Sequence, residues 1–117
     1  MRPESKALGQ TLLDHHRRMV SQHPPGRSPI LGRYTIRYGE LCSRAGLPHL
    51  TRIVGSFLQD VAVWCQAAGY PPLNALAVND TGMPGDGYDG AGDCEIVKWP
   101  DQAKNCILFT GYPAGIS

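Results

Sequence analysis

The sequence predicts a small α+β domain organised around a helix-turn-helix, and three observations lead there. Tyr34 to Gly55 reads as a strand, a short helix and a turn, followed by the opening of a longer helix. Further on, Ile53, Val54, Phe57, Leu58, Val61, Trp64, Cys65 and Ala68 recur at three- and four-residue steps, the spacing of a helix that buries one broad face. Leu73 to Val78 is an apolar run short enough for a buried strand. With 117 residues the chain has room for one modest core and not for two.

Taken in order, Pro3 to about Gln22 is expected to be a helix, with Leu8, Leu12, Leu13, Met19 and Val20 as a broken apolar stripe. His15-His16-Arg17-Arg18 falls beside that stripe. It reads first as a solvated helix face and second as a phosphate-facing cluster. Adjacent histidines point about 100° apart on a helix, so they do not form a metal-ligand pair. His23 to Pro29, with three prolines and a glycine, is a loop. Thr35, Ile36 and Tyr38 carry the β-branched and aromatic residues of a strand. Glu40 to Ala45 lacks helix breakers, and Gly46 suits the left-handed residue that ends a helix. Leu47 to Leu50 makes the turn, and the second helix is expected to start near Thr51 and run to about Ala68. Gly69 then caps it, and Pro71-Pro72 stop any continuation. Asn79 to Gly82 is a turn. Glu95 to Val97 is expected as a short strand and Trp99 to about Phe109 as a helix with Pro100 in its first turn. The last residues, 111–117, read as a tail.

Composition narrows the function classes. Hydrophobic content of 42% and charged content of 18% are those of an ordinary soluble protein. No apolar run approaches a membrane span and no signal-peptide core is visible, which makes the cytoplasm the default location and a membrane partner unexpected. Cys42, Cys65, Cys94 and Cys106 lie far apart with no CxxC pair, so packing thiols are favoured over a zinc or redox site. The segment from Met83 to Cys94 is rich in Gly and Asp, yet it lacks the ligand ladder and closing Glu of a calcium loop. No metal or other cofactor is expected. Charge is unevenly divided: up to Leu58 there are nine Lys and Arg against three Asp and Glu, and from Gln59 onward two against seven. That polarity suits a basic face presented to a polyanion.

Several residues together resemble a known family. Tyr38-Gly39-Glu40-Leu41, Ala45-Gly46 and Thr51-Arg52-Ile53-Val54-Gly55 are similar in order and spacing to the DNA-binding domain of alkylguanine-DNA alkyltransferases and their non-enzymatic relatives, the alkyltransferase-like proteins. Leu76-Ala77-Val78, Gly82, Gly87-Tyr88-Asp89-Gly90 and Lys98-Trp99 extend the similarity, which covers roughly residues 34–104. The resemblance implies a small winged helix-turn-helix domain, here with an added N-terminal helix. In that reading residues 1–29 are the N-terminal helix and Pro-rich loop, 30–110 the winged-helix domain and 111–117 the tail. It further implies that the recognition helix enters the minor groove, that Arg52 inserts into the base stack in place of an extruded nucleotide, and that Tyr38 presses on the backbone to help rotate it out. A planar, permanently charged guanidinium can fill a vacated stack while satisfying the orphaned base.

The chain departs from the family at the reactive centre. Alkyltransferases carry Pro-Cys-His-Arg, whose cysteine accepts the alkyl group, whereas this chain has Pro72-Leu73-Asn74-Ala75-Leu76 and places Asn74 at the nucleophile position. The expectation is therefore a non-enzymatic protein that binds duplex DNA, with distorted or modified duplex as a candidate target. The DNA-binding candidates are Arg52 in the groove, Tyr38 at the backbone and Thr51 as helix start and phosphate contact. Arg37, Arg44, Arg17 and Arg18 are electrostatic candidates. The alternative is a protein-interaction module, a small inhibitor or adaptor, that keeps the fold and contacts a protein partner through the acidic Gly-rich loop from Asp80 to Glu95.

Overall fold

The computed structural model describes residues 1–84 and 99–116. Helix α1 spans Pro3–Gln22, the bounds that its apolar stripe predicts, with Pro3 at the first helical position where no intrahelical N–H is needed. Leu8, Leu12 and Leu13 are buried and pack against the main helix of the domain, α4 (Val54–Ala68). Val54, Phe57, Leu58, Val61, Ala62 and Cys65 form the buried face of α4, as its three- and four-residue spacing requires. Each fully buried Leu or Val contributes roughly 1.5–3 kcal/mol, so this helix pair is the main source of cohesion.

Between them lie a one-turn helix α2 (Leu31–Tyr34), the strand β1 (Ile36–Arg37) and helix α3 (Tyr38–Arg44). The strand is shorter than expected, and Tyr38 opens α3 instead of closing β1. Gly46 adopts φ +77°, and the N–H of Leu47 bonds to the carbonyl of Cys42 at 2.8 Å, so the expected left-handed stop is present. Gly69 ends α4 in the same way, with φ +78°.

The second helix begins later than expected. Pro48–Leu50 forms a 3-10 turn, and the N–H of Ile53 still bonds three residues back, to the carbonyl of Leu50, at 2.9 Å. Ile53 itself has φ −118°, outside the helical range, so α4 starts at Val54 and not near Thr51. Leu73–Leu76 is likewise a 3-10 turn where a longer strand was expected, and only Ala77–Val78 is extended, as β2. All six residues are buried as the apolar run requires. β1 and β2 pair in parallel, with Ile36 opposite Ala77 and Arg37 opposite Val78. Among the described residues the domain is thus mostly helical, with one small two-stranded sheet. Helix α5 (Trp99–Leu108) closes the fold, and the indole N–H of Trp99 donates to the carbonyl of Ala75 at 2.8 Å. The strand expected at Glu95 to Val97 and nearly all of the acidic Gly-rich segment lie outside the described residues.

Neither end of the chain behaves as an appendage. α1 shares one core with α3 and α4, so the 1–29 segment is integral to the domain. The C-terminal residues read as a tail instead fold back along α1. Ile116 is buried where Gly9 leaves room, since a Cβ at position 9 would overlap its Cδ1. Its N–H also donates to Oε1 of Gln10 at 3.2 Å. Tyr112 packs edge-on to His16 and donates its hydroxyl to the carbonyl of Pro71 at 2.6 Å. Ile116→Ala is expected to lower unfolding free energy by about 2 kcal/mol in urea titration, the lower end for truncating a buried aliphatic, since a chain end relaxes readily. A true tail would give no change.

Candidate nucleic-acid interface

The residues proposed for DNA contact come from three neighbouring elements. α3 supplies Tyr38 and Arg44, β1 supplies Arg37, and the turn before α4 supplies Thr51 and Arg52. Tyr38 is half-buried, with its ring against the core. Arg52 and Ile53 stand exposed at the opening of α4, Ile53 with 58% of its surface in solvent. Arg52 has no ion pair among the described residues. Gly55 follows in the first helical turn, and a Cβ there would meet nothing within 4 Å.

Thr51 makes a local bond within the turn. Its hydroxyl donates to the carbonyl of Pro48 at 3.0 Å and also hydrogen-bonds with the Cys42 thiol, tying the 3-10 turn to α3. The role of helix start passes to the Ile53–Val54 step, because the 3-10 turn keeps the chain tightly wound through Thr51. Arg44 is held by Glu40, one helical turn away, at 2.6 Å. Arg37 lines a shallow pocket of about 460 Å³ with Gly32, Thr35, Glu40, Val78 and Gly82. The parallel pairing of β1 with β2 creates this pocket by setting the start of α3 beside the Asn79–Gly82 turn.

The cluster His15-His16-Arg17-Arg18 splits into four different environments. His15 and His16 are buried, contrary to a solvated face, because they continue the Leu8–Leu12 stripe. The Nε2–H of His15 donates to the carbonyl of Tyr34 at 2.9 Å, and that of His16 to the carbonyl of Cys106 at 2.8 Å. A carbonyl only accepts, so each ring carries a proton on Nε2, and burial disfavours adding a second one on Nδ1. Arg17 turns towards the C-terminal segment, bonding Asp14 and the carbonyl of Ala114, each at 3.1 Å. Arg18 turns the other way and lies 3.5 Å from Nδ1 of His15.

The thiols look inward. Cys42, Cys65 and Cys106 are buried and unpaired as disulfides. Burial pushes the Cys65 thiol up to about 11 and the Cys106 thiol to about 12, far from the thiolate a nucleophile needs. Asn74 is 3% exposed. No group of three or more metal-ligating side chains occurs among the described residues, and no helix there is long and apolar enough to cross a membrane. Comparison with protein-family models, with curated proteins and with solved structures found no match to this chain.

Burial is the largest influence on both His15 and His16 and lowers their pKa from the ordinary 6.5, outweighing the main-chain carbonyls that favour the charged rings. Below about pH 6.5 the unfolded chain therefore binds more protons than the folded one, and stability falls as pH drops towards the lowered folded values. Asp60 acts in a separate, more acidic window: hydrogen bonds from Arg2 and Ser5 hold its carboxyl below 3.8, so its contribution is lost only under stronger acid. Tm is expected to decline between about pH 7 and 5, and His16→Gln, whose amide can still donate to Cys106, to flatten that decline. An unchanged slope in the variant would remove His16 as a cause.

Proposed function

We propose that this chain is a non-enzymatic DNA-binding protein of alkyltransferase-like, winged-helix type, which grips duplex DNA through the helix-turn-helix formed by α3 and α4. The observation that carries the reading is the opening of α4. Gly55 is the second residue of α4, and no packing contact inside the domain requires a glycine there, since a Cβ would meet nothing within 4 Å. Absence of a Cβ beside the exposed Arg52 and Ser56 leaves a surface that another backbone can approach closely. Arg52 then enters the groove and occupies the space of an extruded nucleotide, with Tyr38 bearing on the backbone. Arg37 and Arg44 add charge. Asn74 supplies no nucleophile, so recognition does not lead to covalent transfer.

A second reading is favoured by a different feature. Met1, Arg2, Asp60, Val63, Trp64 and Ala67 line a largely apolar groove of about 620 Å³ on the outer side of α4, and Val63 is 55% exposed there. Such a groove suits a protein-interaction module, an inhibitor or adaptor, better than a polyanion.

The two readings separate on binding to short duplexes. For a DNA binder, affinity falls as salt rises, because each phosphate neutralised by Lys or Arg releases a counterion. Binding should also be tighter to a duplex with a mismatched or alkylated base, which costs less to unstack. Arg52→Ala should lower affinity by about 1–3 kcal/mol, the range for a lost stacking group, while Arg17→Ala should change it little because Arg17 is engaged with Asp14 and Ala114. No binding of wild-type protein to any duplex at low salt would leave the interaction-module reading in its place.

Covalent transfer has its own measurement. Protein incubated with an O-alkylguanine duplex should keep its intact mass, since none of the described thiols is both exposed and easily ionised. A stoichiometric gain of one alkyl group, abolished by replacing a single cysteine, would overturn the non-enzymatic assignment.

A further inference from the structure

α1 and α3 pack side by side and bring arginines from distant parts of the sequence towards one buried ring. His15 is 6% exposed, and its Nε2–H is committed to the carbonyl of Tyr34. On the other side of the ring, Nδ1 lies 3.5 Å from the guanidinium of Arg18. Arg44 stands on α3, which packs against α1, and the charges of Arg18 and Arg44 oppose protonation of the ring while Glu40 favours it. Glu40 in turn stands between Arg44, at 2.6 Å, and the pocket it shares with Arg37. Arg18, Arg44 and Arg37 thus belong to three packed elements, α1, α3 and β1, with Glu40 bonded to Arg44 and lining one pocket with Arg37. Neither Arg18 nor Arg37 has an ion pair among the described residues.

We propose that Arg18, Arg44 and Arg37 form a phosphate-contacting stripe that makes α1 part of the DNA-binding surface, seating one strand of the duplex backbone alongside α3. The inference rests on the DNA-binding reading and extends it to a helix outside the helix-turn-helix. Charge complementarity identifies the occupant: three guanidiniums on packed neighbouring elements suit a row of phosphodiester oxygens. The first helix of a helix-turn-helix commonly crosses the backbone, and α3 holds that place here. Arg17 is excluded although it is adjacent in sequence, because successive residues on a helix diverge by about 100° and it is bound to the C-terminal segment. Glu40 weakens the stripe by opposing the phosphates and drawing back Arg44.

The test compares variants of the full chain by fluorescence anisotropy on a short duplex over a range of salt. Each phosphate contact contributes about 0.9 to the slope of log affinity against log salt. Arg18→Ala should reduce the slope by about that amount with little dependence on DNA sequence, and Arg18→Lys should restore it. Arg44→Ala should weaken binding more than Arg18→Ala, because it also leaves Glu40 without its partner. Glu40→Gln should tighten binding, a gain that loss of structure would not produce. Arg17→Ala should retain the wild-type slope. Unfolding midpoints confirm that each variant is folded. If Arg52→Ala weakens binding but Arg18→Ala keeps the wild-type slope, α1 is outside the interface and the stripe is refuted while the DNA reading stands. If the wild-type chain binds no duplex, both fall.

Discussion

Two neutral imidazoles on the inner side of α1 are the joints on which the arrangement depends. The carbonyl of Tyr34 ends α2 and that of Cys106 lies in the last turn of α5, where helical carbonyls lack an intrahelical partner. A buried carbonyl with no donor costs roughly 1–3 kcal/mol; His15 removes that cost at Tyr34, His16 adds a shorter bond at Cys106 to the one from the Phe109 N–H, and the two rings fix α2 and α5 to the same helix. Aliphatic side chains of similar size would fill the space but remove the donor from the Tyr34 carbonyl and leave the Cys106 carbonyl only the longer bond from the Phe109 N–H, at 3.3 Å. A charged ring would keep its Nε2–H bond, so the stability of the fold is linked to pH by the burial of these rings, which disfavours their protonation, and not by the bonds themselves.

These joints give α1 two distinct sides. His16 faces α5 and the returning C-terminal segment, where Tyr112 covers it edge-on and Ile116 seals the region above Gly9. His15 faces α2 and α3, and there its free nitrogen meets Arg18. One step of the helix therefore separates a structural surface from a charged one. The fate of Arg17 and Arg18 follows from this: the first is absorbed by Asp14 and Ala114, and the second is left beside α3.

Much of the scaffold was legible because it rests on periodicity and on residues with narrow conformational preferences. The leucines of α1, the broad apolar face of α4, and Gly46 and Gly69 at helix ends all lie where the sequence predicts. The 3-10 turns were not legible, since Pro48–Leu50 and Leu73–Leu76 carry apolar residues that fit a turn, a strand or a helix, and tertiary packing decides among them. The start of α4 was misplaced for the same reason, and with it the role of Thr51. His15 and His16 did carry a signal: His15 falls seven residues after Leu8 and His16 four after Leu12, both on the stripe, but their polarity argued for solvent. The C-terminal segment gave none, because its burial depends on the space left by a glycine more than a hundred residues away. Of the candidate site, the exposed placement of Arg52 was readable, whereas the approach of Arg18 and Arg44 to one ring arises only from packing.

The distribution of charge connects the scaffold to its proposed partner. Asp14, Glu40 and Asp60 each hold one arginine, respectively Arg17, Arg44 and Arg2, and the Arg2–Asp60 contact also pins the start of α1 to α4. Those pairs are largely exposed and each contributes little to stability. Their greater effect is to decide which arginines are engaged. Arg18, Arg33, Arg37 and Arg52 are exposed and have no carboxylate partner among the described residues, and all four belong to the basic first half of the sequence. If the partner is a duplex, Arg18, Arg33 and Arg37 contribute salt-dependent and sequence-independent attraction, and discrimination between intact and distorted DNA falls to the opening of α4, where Arg52 and Gly55 determine how closely the bases can be approached.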